Sequence, residues 1–455
     1  MTPDDAAEIL MDQIRPSFEL EKARADGLDK WARWDHADPS TPHAQTSPEY
    51  KQLSDNAQTP WGMLVVSTVA QGLFVEGYRG AQDEANSPAW NLWQANKMDA
   101  RQTGIHRAAL SFGTAYSLVL PAIDQLTGEP TASIRGFSPR QMIALYEDVA
   151  VDDWPKVAAR FRPTKTHWAV TVYDDEYAHE FHVGTSATDK PVLQETSLHG
   201  MGVVPVVRYD NITDLEGRSC GEIEPIIPLL GRLDQTKFDR LVVQRFASWV
   251  VRTISGIDLG ESADKEKLRL RAEQVLVAKD PDTKFGSLPA SPLDGFNESY
   301  GADLRDMSAV TQVAPHHLLG QIANLSAEAL AAAEASQDRK IDERKHTLGE
   351  GHEQTLRLAG QAVGDTELAR DYEAQVRWKD TQSRSLAQAA DALGKMAQML
   401  NVPVELLWED IPGWTEQKVN RARKLVEQDG DLIRLFSEIA GGQTEARDTP
   451  ELPAS

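Results

Sequence analysis

The hydrophobic pattern changes period three times along the chain. From Asp4 to Trp34 apolar residues recur at helical spacing through Ile9, Leu10, Ile14, Phe18, Leu20 and Leu28. A Pro-, Ser-, Thr- and Asp-containing loop, Asp38-Pro39-Ser40-Thr41-Pro42, follows. Pro60-Trp61 then opens a helix over Gly62–Gln71, with the proline where a first turn tolerates it. Leu73–Tyr78 alternates as a strand does, and Ala89–Gln94 and Ala100–Phe112 predict helices, with Trp90 and Trp93 on one face. Between Ala115 and Tyr209 the runs become short, β-branched and aromatic: Tyr116–Leu120, Ala132–Gly136, Met142–Tyr146, Trp168–Tyr173, Ala178–Val183 and Val203–Val207. Turn signals such as Thr127-Gly128-Glu129-Pro130 separate them, which predicts a mostly antiparallel β region.

Helical spacing returns at Pro225 and runs through Leu229, Leu233, Phe238, Leu241 and Phe246 to about Val251. Gly256–Gly295 is charged and turn-rich, with a short strand expected at Gln274–Ala278. A helix over Tyr300–Val313 leads to Pro315-His316-His317, where the proline pushes its predecessor out of helical geometry. The strongest helix signal begins at Ala327, after Asn324 or Ser326 as cap. It continues past Arg344 to Leu358, weakened by Gly349 and Gly351. Ser383–Ile439 predicts three or four further helices, broken at Asn401-Val402-Pro403 and Ile411-Pro412-Gly413, before a frayed tail. The fold class is α+β.

Composition narrows the possibilities. The 455 residues suffice for several domains, and 41% hydrophobic content excludes a wholly disordered chain. The single cysteine, Cys220, forms no internal disulfide, and Met1-Thr2-Pro3-Asp4-Asp5 lacks the charged and apolar regions of a secretory signal. No apolar run approaches bilayer length. A soluble protein of a reducing compartment, without a membrane, is expected. A formal charge of -23 argues against holding DNA by the overall field, and equally suits simple solubility.

Catalytic signatures are missing. Gly231 to Lys237 has a glycine and a lysine but not the second glycine of a phosphate-binding loop. There is no Gly-x-Gly-x-x-Gly, no Gly-x-Ser-x-Gly and no His-Glu-x-x-His, since His352-Glu353 is followed by Gln354-Thr355-Leu356. Asp152-Asp153 and Asp174-Asp175-Glu176 sit at turn positions, where carboxylates cap the turn. His316-His317 lacks a third metal ligand nearby in sequence. The expectation is therefore no enzyme, no catalytic residue, no cofactor and no metal site.

Several stretches in order carry a family resemblance. They are Leu73-Phe74-Val75-Glu76-Gly77-Tyr78-Arg79, Ala89-Trp90-Asn91-Leu92-Trp93-Gln94-Ala95-Asn96 and Ala108 to Tyr116; then Ser138-Pro139-Arg140-Gln141-Met142; then Pro315-His316-His317-Leu318-Leu319-Gly320 with Asn324 to Leu330, Ala333 and Glu334; and finally Trp378-Lys379-Asp380 with Ala389 to Lys395. Together they resemble the portal, or head–tail connector, proteins of tailed bacteriophages, in the branch common in phages of actinobacteria.

The resemblance implies a portal fold and a chain partition. Residues 1–222 would be an N-terminal wing, 223–254 a first stem helix region, 255–296 a clip and 297–313 a second stem helix. Residues 314–325 would be a channel loop, 326–362 a long wing helix, 363–440 a helical crown and 441–455 a flexible tail. It further implies a dodecameric ring at one capsid vertex of the virion, assembled in the host cytoplasm, through which double-stranded DNA is packaged and ejected without sequence specificity. The implied partners are the terminase large subunit, a head–tail adaptor protein, the major capsid protein and scaffold. His316, His317, Gln321 and Asn324 are the expected DNA-facing residues of the channel loop. Asp280, Asp282, Lys284, Phe285 and Leu288 are the expected docking residues of the clip. The rival is a DNA-binding regulatory protein using the C-terminal helices, with Lys418, Arg421, Arg423 and Lys424 on the last of them.

Overall fold

A computed structural model describes residues 1–33, 48–80, 88–186, 189–247, 252–255, 284–287, 292–320, 327–379, 386–414 and 418–426. In chain order, helix α1 (Pro3–Ile9) runs through a π turn (Leu10–Ile14) into α2 (Arg15–Arg33), followed by α3 (Pro48–Ala57), α4 (Trp61–Ala70) and strand β1 (Val75–Arg79). Helices α5 (Pro88–Ala95) and α6 (Met98–Phe112) precede the strands β2 (Thr114–Ile123), β3 (Pro130–Phe137), β4 (Met142–Leu145), β5 (Val157–Pro163), β6 (Trp168–Tyr173), β7 (Tyr177–Val183), β8 (Val192–Leu198) and β9 (Val206–Asp210). Short strands β10 (Ile212–Thr213) and β11 (Ser219–Cys220) lead to helix α7 (Ile227–Ala247). Then come β12 (Arg252–Ser255), β13 (Lys284–Ser287), α8 (Asp294–Thr311), α9 (Pro315–Leu319) and α10 (Ala327–Val363). The chain closes with α11 (Thr366–Ala369), β14 (Gln375–Trp378), α12 (Leu386–Leu400), α13 (Val404–Leu407) and a helical stretch over 418–426.

The chain divides into two compact units. The first comprises residues 1–71, 104–118 and 135–351, and the second comprises 72–103, 119–134 and 352–455.

The centre of the first unit is an antiparallel meander, β4-β5-β6-β7-β8, against which the N-terminal helices pack. Ala6, Leu10, Ile14 and Phe18 bury one stripe against Ile143, Val157, Phe161, Val170, Val172 and Phe181. A strict four-residue repeat drifts by about 40° per step on a 3.6-residue helix. The wider π turn at Leu10–Ile14 takes up that drift and keeps all four side chains on the sheet. Phe18 stacks on Phe161 with ring centroids 3.7 Å apart, and Trp168 meets both rings edge-on. Arg140, from the Ser138–Met142 segment, bridges Asp26 (2.6 Å) and Asp29 (2.9 Å) on α2. The carboxylates anticipated at turns do cap them: Asp174 accepts from the Glu176 and Tyr177 amides, and Asp152 from the Asp148 amide.

In the second unit β1 pairs antiparallel with β14, from the far end of the sequence, with Val75 opposite Trp378 and Arg79 opposite Gln375. Gln102 on α6 exchanges hydrogen bonds with both backbone groups of Val75. Trp93 is fully buried, stacks on Trp90 and donates to Asp99 (2.9 Å). Asn96 binds the edge of β3, donating to Ala132 O and accepting from Ile134 N, both at 2.8 Å. The tryptophan–asparagine stretch that carries part of the family resemblance is thus structural here.

The expected helices and most expected strands appear within a few residues. Differences remain. Strands β5, β8, β10, β11, β13 and β14 and helices α3 and α11 had no separate expectation. Helix α8 begins at Asp294, inside the segment expected as clip, and β12 begins at Arg252, inside the segment expected as first stem. Helix α10 continues through Gly349 and Gly351 as expected, and runs on to Val363; the glycine at 351 lies against the Tyr209 ring, where a Cβ would stand 2.6 Å from Tyr209 Cδ1. The strand expected at Gln274–Ala278 and the tail beyond 426 lie outside the described residues. Among the described residues no helix is long and apolar enough to cross a membrane.

Candidate functional site

Helices α7 and α8, both expected from their periodicity, lie side by side. Arg232 on α7 meets Asp303 (2.8 Å) and Asp306 (3.1 Å) on α8, while Arg240, two turns on, meets Asn297 (3.0 Å). Contacts that descend on one helix as they ascend on the other make the pair antiparallel. Trp61 donates to the Tyr300 hydroxyl (3.1 Å), and Lys237 donates to Thr59 (2.7 Å), so the segment before α4 braces both helices. Burial pushes the Lys237 ammonium below its ordinary value, with Arg240 beside it adding to the effect.

At the far end of this pair the chain turns through a two-stranded antiparallel ribbon. Strand β12 pairs with β13 in the register Arg252 opposite Ser287, Ile254 opposite Phe285 and Ser255 opposite Lys284. The backbone of the expected docking residues Lys284 and Phe285 therefore lies on the ribbon. Asp280, Asp282 and Leu288 fall outside the described residues.

At the other end, α8 stops at Thr311 because Gln312 adopts a left-handed conformation (φ 57°). Ser308 donates to Val313 O, and Lys340 on α10 donates to Thr311 O (2.8 Å), satisfying carbonyls that a helix end leaves open. Pro315 then opens the short helix α9, which Gly320 (φ 63°) ends. The segment expected to project as a loop from residue 314 is in its first half folded: Val313, Ala314 and Leu318 are buried, and Ala314 N donates to Gln337 on α10. Proline at the first helical position pre-sets the dihedral, so Pro315 begins α9, while the end of α8 is set three residues earlier at Gln312.

The expected DNA-facing residues separate. His316 turns inward, its side chain 8% exposed, with Nε2 3.5 Å from Glu334 Oε1 on α10. His317 stays exposed, with its ring centroid 4.2 Å from that of His316. Burial holds the His317 imidazole below its ordinary value, and His316 beside it acts the same way. Gln321 and Asn324 lie outside the described residues. Glu334 is the residue that sequence spacing did not bring in: it sits on the next helix, and only tertiary packing sets it beside the histidine pair.

In the C-terminal stretch Lys418, Arg421 and Lys424 are exposed, whereas Arg423 is partly buried in an ion pair. Arg423 pairs with Glu409 (2.7 Å), which also binds Arg79. Lys418 donates to Gly413 O.

Comparison with known proteins fits this architecture. Residues 23–431 match the family described as phage portal protein, SPP1 Gp6-like. The portal protein of Mycobacterium phage D29 is 26% identical over 368 residues, covering 75% of this chain and 72% of the relative. The portal protein of Mycobacterium phage L5 is 26% identical over 376 residues, covering 76% and 74%. Among solved structures, a chain from the neck of a native gene transfer agent particle computed with C12 symmetry is similar at a TM-score of 0.44 and 11% identity, covering 82% of this chain and 96% of that one. The family match spans the first unit's sheet, the α7/α8 pair, the ribbon and α10 alike; the chain belongs to the SPP1 Gp6-like phage portal proteins, and is a non-enzymatic protein of the virion's portal vertex, the channel for DNA packaging and ejection.

Proposed function

We propose that this chain assembles head to tail into a closed ring of twelve subunits around the DNA path, with α7 and α8 as its stem. The carrying observation is the antiparallel α7/α8 pair, which ends in the β12/β13 ribbon at one side and in α9 and α10 at the other. Such a pair gives each subunit a stiff strut, and heterologous contacts between struts close into a ring. The ribbon and the residues between its strands serve as the clip that docks the terminase large subunit during packaging and a head–tail adaptor afterwards. Residues 1–222, with the five-stranded sheet and the N-terminal helices, are the wing that meets the capsid and scaffold, α10 is the long wing helix, and residues 363–440 are the crown.

The segment 314–325 is the wall nearest the DNA. Gln321 and Asn324, with the exposed His317, supply neutral donors that touch phosphates without holding them. Twelve chains at -23 each make a net acidic assembly, which repels DNA at short range and favours sliding over gripping. Negative-stain imaging and native mass of the purified full chain test this. A closed ring of twelve is the expected result, and a stable monomer or dimer that no capsid protein or scaffold converts to rings overturns it.

A further inference from the structure

We propose that His316, His317 and Glu334 form a binding site for one divalent transition-metal ion of the zinc class, bridging α9 to α10. Each residue offers one ligand atom, and these three atoms lie within 4.8 Å of one another. Two imidazoles and one carboxylate form a donor set that suits zinc, which takes three protein ligands and a water in tetrahedral geometry.

Two independent observations point to an ion rather than to a plain ion pair. The His316 Nε2 to Glu334 Oε1 separation, 3.5 Å, is long for a hydrogen bond. It is close to the edge of a tetrahedral site, roughly 3.3 Å when each metal–ligand bond is about 2.0–2.1 Å. Second, the His316 side chain is more than nine-tenths buried and its Nδ1 has no hydrogen-bond partner. An ion takes only the Nε2 lone pair, so Nδ1 keeps the imidazole proton, and a neutral ring whose lone pair faces the Glu334 carboxylate calls for a cation between the two. The exposed His317 closes the third edge by a side-chain rotation.

The backbone is prepared for this. Pro315 fixes the first turn of α9, and Gln337 holds Ala314 N against α10 one turn from Glu334. A bound ion would add a cross-link between α9 and α10 beside the Ala314 N to Gln337 hydrogen bond. The site belongs to the single subunit and does not depend on the ring. With the ion bound, His317 becomes a ligand, and the DNA-facing donors of the segment reduce to Gln321 and Asn324.

The test uses the untagged full chain, stripped with chelator and titrated with zinc chloride by calorimetry. One ion per chain is expected. His316→Ala and Glu334→Gln should each weaken binding by at least about tenfold. His167→Ala, which removes one ring of the surface His167/His182 pair (centroids 4.1 Å apart), should leave binding unchanged. No heat of binding with up to about a hundredfold excess of zinc overturns the proposal, as does binding that survives either substitution at 316 or 334. If those variants fail to fold, X-ray absorption of the zinc-loaded His167→Ala protein decides. Scattering from two imidazoles upholds the site, and its absence overturns it.

Discussion

Glu222 sits against Lys340 with 2.5 Å between carboxylate oxygen and ammonium nitrogen, and the two side chains are only 5% and 6% exposed. Arg344, one helical turn further along α10, reaches the other carboxylate oxygen at 3.1 Å, and Asn211 donates to that same oxygen. The cluster ties α10 to the segment that leaves β11 and enters α7. Because Lys340 also holds the last carbonyl of α8, one carboxylate connects three of the elements proposed to form the stem and its base.

Removing the carboxylate takes the buried counter-charge from Lys340 and Arg344, leaving Lys340 a carbonyl and Arg344 the exposed Glu343. Breaking such a pair by deleting one partner costs about 3–5 kcal/mol. Glu222→Ala is therefore expected to lower the unfolding free energy of the first unit by that amount, read by equilibrium denaturation. A loss below about 1 kcal/mol, the range of exposed pairs, contradicts the burial.

Two glycines in helices should respond with opposite signs. Alanine at Gly351 places a methyl group 2.6 Å from the Tyr209 ring, an overpacking that costs about 1–3 kcal/mol. At Gly394 on α12 an added methyl group would meet nothing within 4 Å, so Gly394→Ala should stabilise by about 0.5–1 kcal/mol. Thermal melts of the two variants give the comparison.

Asp174 sets an acid limit. Burial works to raise its carboxyl, but hydrogen bonds from the Tyr177 and Glu176 amides outweigh it and hold the group below the ordinary carboxylate range. A lowered folded-state value means the stabilisation is fully present above the unfolded value, about 3.9, and disappears as pH falls through the folded one. Asp174→Asn should be less stable than the natural sequence at pH 7, with the gap narrowing below about pH 4. Denaturation series at the two pH values measure it. A constant gap would assign the effect to lost packing instead.

Replacing Gln321 and Asn324 together with Lys should strengthen DNA contact and slow packaging while rings still assemble. A DNA-packaging assay beside negative-stain images separates the two effects. Packaging of full-length DNA at the normal rate shows that residues 321–326 do not line the DNA path.

Local chemistry made much of this protein legible in advance. Period and turn residues marked most helices and the antiparallel region, since a 3.6-residue stripe and a two-residue alternation are properties of the chain alone. Pro60 announced the start of α4 for the same reason, whereas Pro315, expected to close one helix and open a loop, instead opens the short helix α9. The ordered motifs, read together, carried the family. What packing decides stayed hidden. Strand β8 is exposed along its whole length, so no buried alternation marked it, and β14 exists only because β1, near the other end of the sequence, pairs with it. Gly349 and Gly351 marked a weak point in a helix expected to continue, and only packing shows why 351 is glycine: a Cβ there would meet the Tyr209 ring. His316 read as an exposed donor on a loop. The fold of α9 onto α10 turned it inward to Glu334, eighteen residues on, and no spacing rule could have paired them, because the distance between two helices is set by what packs between them.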